Sequence, residues 1–162
     1  MTTAEATIKL RELIGEARVA MATTSTPAGE LHSRPLTIGS IDDDGTFRFL
    51  VDATASWVTG LRHADPINLA ITNDDDKVWL SVAGTIRVAE DPATVHRLWS
   101  PEGERFFPGG VDDPNLRVLV VDPTTAEYWD APASRIERLA MKASSLLGRH
   151  ADPGRSGSID LH

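Results

Sequence analysis

The sequence predicts a mainly β protein, a small antiparallel β-barrel with peripheral helices. Three observations carry this. About six or seven short stretches alternate apolar and other residues or run apolar throughout, each bounded by Gly, Pro or Asp. Helical periodicity is confined to the start, middle and end of the chain. No repeat or linker divides the 162 residues, a length that suits one domain with one core. We place that domain at residues 1–148 and read residues 149–162 as a polar tail, either flexible or packed on a partner.

Taken in order, Thr2 and Thr3 can cap a helix in which Ala6, Leu10, Leu13, Ile14 and Ala17 recur at helical spacing. Val19 to Thr24 reads as a strand, Pro27-Ala28-Gly29 as a turn, and Leu31 to Ile41 as a second strand. Asp42 to Gly45 then forms a hairpin turn into Thr46 to Val51, so these strands are expected to make a meander. Ser56 to His63 reads as a short helix capped by Ser56. Ile67 to Thr72 and the longer Lys77 to Val88 are strands joined by the acidic turn Asp74-Asp75-Asp76. Gly84 marks a bulge or a close approach. Asp91-Pro92 opens a helix to Trp99, with Pro92 at its first position. Pro101 to Pro114 is irregular, and Leu116 to Val121 is an unbroken apolar strand. Asp122-Pro123 is expected to turn the chain into Thr125 to Trp129, and Ser134 to Leu147 to form a last helix ended by Gly148.

Composition narrows the function. The chain is 41% hydrophobic and 25% charged, ordinary for a soluble globular protein. A net charge of -8 argues against a nucleic-acid partner, which needs basic surface. With no Cys, thiolate nucleophiles, disulfides and Cys-ligated metals are excluded. No secretory signal precedes the first helix and no apolar run is long enough for a membrane span, so a cytoplasmic protein without a membrane partner is expected.

Three kinds of site can be weighed. His32, His63, His96, His150 and His162 are scattered without metal-ligand spacing, and the Asp triplets lack the closing Glu of a calcium loop, so no metal is expected. Ser33 and Ser56 lie near histidines but in no nucleophile elbow. The third site is for an anionic aromatic ligand. Arg34 stands before Pro35, which forces extended backbone and interrupts a ladder, leaving a planar fork of donors that suits a phosphate. An edge strand with one solvated Arg fits the same pattern. Ser56 and nearby amides can assist, Phe49-Leu50-Val51 can offer main-chain groups to a flat ring, and Trp57, Trp79, Trp99 and Trp129 can stack on it or pack in a core or interface.

At these residues the chain resembles the FMN-binding split barrels related to pyridoxamine 5'-phosphate oxidase, in the general stress protein branch. The resemblance runs from about Ile8 to Ile136. It rests on Met21-Ala22-Thr23, His32-Ser33-Arg34-Pro35-Leu36, Phe47 to Val51, the Ser56 helix, and Trp79 to Val88 with Asp91. Leu98-Trp99, Phe107-Pro108-Gly109-Gly110, Asp113-Pro114 and Ala126-Glu127-Tyr128-Trp129-Asp130 follow in the same order.

The resemblance implies a six-stranded antiparallel split β-barrel that works as a homodimer with FMN, or FAD, at the interface. Carried over, Arg34, Pro35 and Leu36 line the flavin and help hold its phosphate. Phe49, Leu50 and Val51 read the ring edge, and Ser56 and Trp57 form the phosphate-end turn. Trp99, the Phe107 region and Trp129 fall near the partner's flavin or the dimer contact. Relatives often carry Lys where Trp57 stands, so one phosphate-binding charge is missing, which leaves room for FAD. No segment matches the C-terminal substrate-binding part of the true oxidases, so that reaction is not assigned. A redox flavoprotein taking electrons from NAD(P)H or another small donor, a non-catalytic flavin carrier or sensor, and a cofactor-free scaffold all stay open.

Overall fold

A computed structural model describes residues 1–131 and 155–162. The helix expected at Ser134–Leu147 lies outside these residues. Thr2 caps α1 (Thr3–Ile14) in a capping box with Glu5, and the helix buries Ala6, Leu10 and Ile14. The strands are β1 (Val19–Ser25), β2 (Leu31–Thr37), β3 (Ser40–Ile41), β4 (Phe47–Asp52), β5 (Pro66–Asn73), β6 (Val78–Ala89), β7 (Leu116–Asp130) and β8 (Arg155–Asp160). Between them lie α2 (Ser56–Thr59), α3 (Pro92–Leu98) and a 3₁₀ turn at Pro101–Arg105.

All described pairings are antiparallel, in the order β2-β1-β5-β6-β7-β4-β3, with β8 beside β7. Phe47, Phe49, Leu10, Leu69, Ile71 and Leu119 fill the interior. This is the expected split barrel, with eight strands among the described residues in place of six.

Four expectations change between β2 and β7. The second strand breaks at Ile38-Gly39 into β2 and β3. A Cβ on Gly39 would lie 2.9 Å from the Arg48 carbonyl oxygen and 3.1 Å from Leu98, so the chain passes there only as glycine. The meander is also not formed. β2 pairs with β1, whereas β4 pairs with β3 and β7 at the opposite end of the sheet. The helix at Ser56 is a single turn, with Ala55 at the cap position and no side-chain cap bond. Asp122-Pro123 does not turn the chain, because β7 runs straight through it as one strand with a register shift opposite Ala83/Gly84. Pro123 cannot donate to a ladder, and the bulge is where it is tolerated. The close approach read at Gly84 is present: a Cβ there would meet the Asp122 carbonyl oxygen at 2.5 Å.

β7 explains why Leu116 to Val121 is apolar at every position. Leu119 and Val121 face the barrel interior, while Leu116, Val118 and Val120 face outward under Val95 of α3, with Leu98, Trp99 and Phe107 around them. The stretch read as the polar tail contributes β8 from Arg155 onward. It pairs with the far half of β7 and buries Ile159 and Leu161. It is therefore part of the barrel. Alternation explains this segment: Ser156, Ser158 and Asp160 face out while Ile159 faces in.

Two outcomes follow from this construction. Gly84→Ala is expected to destabilise the fold by about 1–3 kcal/mol, since the methyl group forces two backbones apart; an unchanged denaturation midpoint would contradict the packing. The second concerns acid. Hydrogen bonds from Thr2, Thr46, Thr54 and Thr94 hold Glu5, Asp44, Asp52 and Asp91 below the ordinary carboxylate range. Such a group contributes stability above its unfolded pKa and loses it as pH falls through the lower folded one. The melting temperature is expected to hold from these groups above about pH 5 and to drop below about pH 4. A rise on acidification in a pH series of thermal scans would refute this.

Candidate functional site

The sheet curls until β2 and β4 approach without pairing, and a cavity of about 310 Å³ lies at that split. Pro35, Leu36 and Thr37 of β2 form one wall and Leu50 of β4 the other. Leu98, Glu102, Phe106 and Phe107 form a roof from α3 and the turn after it. The lining is mostly apolar, with Glu102 its one ionisable side chain. Phe106 is 72% exposed at the rim. Trp99 does not line the space. Its ring packs at 6.3 Å from Phe107 and lies under Gly103, so it supports the roof.

Main-chain groups of a strand point alternately to its two edges. Arg48 turns its carbonyl to the β3 side, where the Gly39 N–H donates to it at 2.9 Å. Leu50, two residues on, faces the same edge. Among the described strands β3 alone lies there, and it pairs with Phe47 and Arg48 only. The Leu50 N–H and carbonyl therefore sit on an open edge at the cavity, a donor and an acceptor side by side. Phe49 and Val51 turn their main-chain groups to β7 and their side chains into the core.

Arg34 does not line the cavity but directly precedes Pro35, which does. It shares the inward face of β2 with Leu36, because it pairs with buried Ala22 of β1. Its Nη1 donates to Thr24 Oγ1 at 2.9 Å and approaches the Ala22 carbonyl at 3.4 Å. The Trp57 ring lies 4.5 Å from the guanidinium carbon, a cation–π distance. Burial lowers the Arg34 pKa from its ordinary value, but a guanidinium stays charged at neutral pH. One face and one nitrogen are thus held by the protein, and the remaining donors can meet an anion. Ser56 is exposed beside Trp57 at the start of α2.

Of the residues expected from sequence, Arg34 and Trp57 meet, and Pro35, Leu36 and Leu50 line one cavity. Phe49 and Val51 are core residues. Trp129 is eleven positions along β7 from Val118, the partner of Leu50, and lies on the outer face of the sheet, paired with Trp79. It does not line the cavity of its own protomer. Sequence reasoning missed Thr24, Leu98 and Glu102. The signal for Leu98 was present, because a strand apolar on both faces needs a covering helix.

The family described as "Pyridoxamine 5'-phosphate oxidase like" matches residues 5–152. The chain belongs to that family. No curated protein matches it. Among solved structures, a protein assigned as general stress protein 26 from Jannaschia sp. CCS1 is 19% identical, with a TM-score of 0.77 over 97% of this chain and 99% of that one. The general stress FMN/FAD binding protein from Xanthomonas citri is 27% identical, with a TM-score of 0.68 over 80% of this chain and 92% of that one. A heme binding protein from Mycobacterium smegmatis is also similar, at 15% identity and a TM-score of 0.60 over 99% of this chain and 59% of that one. At 15% identity that likeness shows a shared fold alone.

The Trp57 ring is expected to couple to Arg34. A double-mutant cycle of Arg34→Ala and Trp57→Ala, read by chemical denaturation, should give a coupling of about 0.5–2 kcal/mol. Strictly additive effects would show that the ring does not hold the guanidinium.

Proposed function

We propose that the protein is a flavin-binding general stress protein, a redox flavoprotein with the flavin at a homodimer interface in the cytoplasm. The observation that carries this reading is the open Leu50 main-chain edge at an apolar cavity whose wall residues Pro35 and Leu36 directly follow Arg34 in β2. A flavin ring needs a thin apolar space with paired donors and acceptors along one edge, and its nucleotide tail needs a cation at one end. The residues fit these needs. Pro35 and Leu36 flank the ring on one side and Leu50 reads its edge. Arg34, steadied by Trp57 and Thr24, meets phosphate at the end where Ser56 lies. The cavity volume falls at the lower end for small-molecule sites.

Bound flavin would supply the electron chemistry. The chain's own part is to hold the ring edge, neutralise phosphate and exclude water beneath the Phe106–Phe107 roof. Glu102 at the rim would repel a second anion and favour a neutral or cationic part of an electron donor, such as the nicotinamide of NAD(P)H.

A second copy of the chain is supported by the outer sheet face. Val19, Met21, Trp79 and Trp129 project there and are each 42–48% exposed. Buried aromatic and Met side chains are enriched in interface cores. Val19 also lines the cavity, so a partner on this face would reach the ligand. Trp99 and the Phe107 loop would then act by shaping the roof, and Trp129 by packing across the interface.

Purified protein saturated with FMN or FAD and freed of excess ligand should keep a flavin absorption band and elute as a dimer. Arg34→Ala should weaken flavin binding by about 1.5–3 kcal/mol. Unchanged affinity in that variant would remove the phosphate role. Flavin binding without turnover of NAD(P)H or another small donor would favour the carrier or sensor reading.

A further inference from the structure

A second cavity opens beyond the Arg34 anchor. It holds about 380 Å³ between the end of the β1–β2 hairpin and the loop after α2. Thr24 ties this cleft to Arg34, since its hydroxyl accepts from Arg34 and it also lines the cleft. Arg62 and Asp65 are the charged groups of the cleft wall.

The loop that carries them is pinned. Asp65 Oδ2 accepts from the Arg62 N–H at 2.8 Å, and the Asp65 N–H donates to the Arg62 carbonyl at 3.1 Å. The Ala64 N–H donates to the Ile86 carbonyl at 2.8 Å, and Ala64 itself holds a φ of +66°. A non-glycine residue keeps that conformation only where its surroundings impose it. The cleft is therefore pre-formed, which lowers the ordering cost of any ligand.

Charge indicates what fits. A terminal phosphate monoester carries about -1.5 to -2 at pH 7. Next to Pro35, Arg34 offers one positive charge, and Trp57 offers a ring where a second cation would help. Each phosphate of a diphosphate diester carries a single charge, so Arg34 and Arg62 can take one each. Asp65 would repel phosphate, but a carboxylate is the group that accepts from ribose hydroxyls in dinucleotide sites.

Resting on the flavin reading above, we infer that this cleft is a second nucleotide subsite and that the preferred ligand is a flavin dinucleotide. The diphosphate spans Arg34 and Arg62, and the adenosine half lies in the cleft against Asp65.

The test is calorimetric titration of the full-length protein with FAD and with FMN, repeated on Arg62→Ala. Asp65 bonds to the main chain at Arg62, so this substitution keeps the loop. FAD is expected to bind about tenfold more tightly than FMN to the unaltered protein. Arg62→Ala should cost about tenfold or more in FAD affinity and less than about twofold in FMN affinity, as for loss of one charge-assisted contact. FMN binding as tightly as FAD, or equal losses for both in the variant, would overturn the subsite while leaving the flavin reading intact. Binding of neither flavin would overturn both.

Discussion

Burial of β7 on both faces is the constraint from which the rest of the molecule follows. Leu119 and Val121 need the barrel on one side, and Leu116, Val118 and Val120 need a second layer on the other. α3 and the turn after it supply that layer, and in doing so they hang over the edge of β4 and become the cavity roof. β7 is also long enough to serve two partners along one edge. β4 takes its first half and β8 its second. The bulge at Pro123 opposite Gly84 separates the halves and lets one strand belong to both.

The split follows from what β7 leaves over. β4 spends one edge on β7, and β3 covers only two residues of the other before Gly39 carries the chain away. Leu50 is left with its main-chain groups facing a cavity, a position that an ordinary sheet interior would not tolerate without partners. Next to Pro35, Arg34 is partly buried and stacked on Trp57, with Thr24 accepting from its Nη1, which limits where its charge can go. On the proposed reading, recognition rests on incomplete pairing of the sheet and one fixed cation, and among the described residues no cluster of acids or bases lines the cavity.

Much of this was legible in the sequence wherever periodicity and turn chemistry agree. The Thr2 cap, the Asp42–Gly45 turn, the Asp91 cap and the β5–β6 hairpin all appear where local rules place them. Pairing across the sheet was not legible, because β4 finds β7 from far along the chain and nothing near Phe47 announces it. Asp122-Pro123 misled for a related reason: the same dipeptide serves a turn or a bulge, and the backbone opposite Gly84 decides which. For the same reason β8 reads as a polar tail until β7 gives its alternation a face to bury. Near the cavity, the extended backbone at Arg34-Pro35 and the position of Leu50 in a strand were readable from Pro35 and the strand pattern. Thr24 was not, since its role depends on register with β2. Trp57 was read as the loss of a charge; in the structure it holds the charge that remains.

The most direct test of the account is the amide spectrum of the isotope-labelled protein during flavin titration, followed at Phe49, Leu50 and Val51. The open-edge account predicts that the Leu50 amide moves strongly, while Phe49 and Val51, bonded to β7, move little. A flavin that binds and leaves Leu50 unmoved would contradict the account, because the ring would then lie somewhere other than the split.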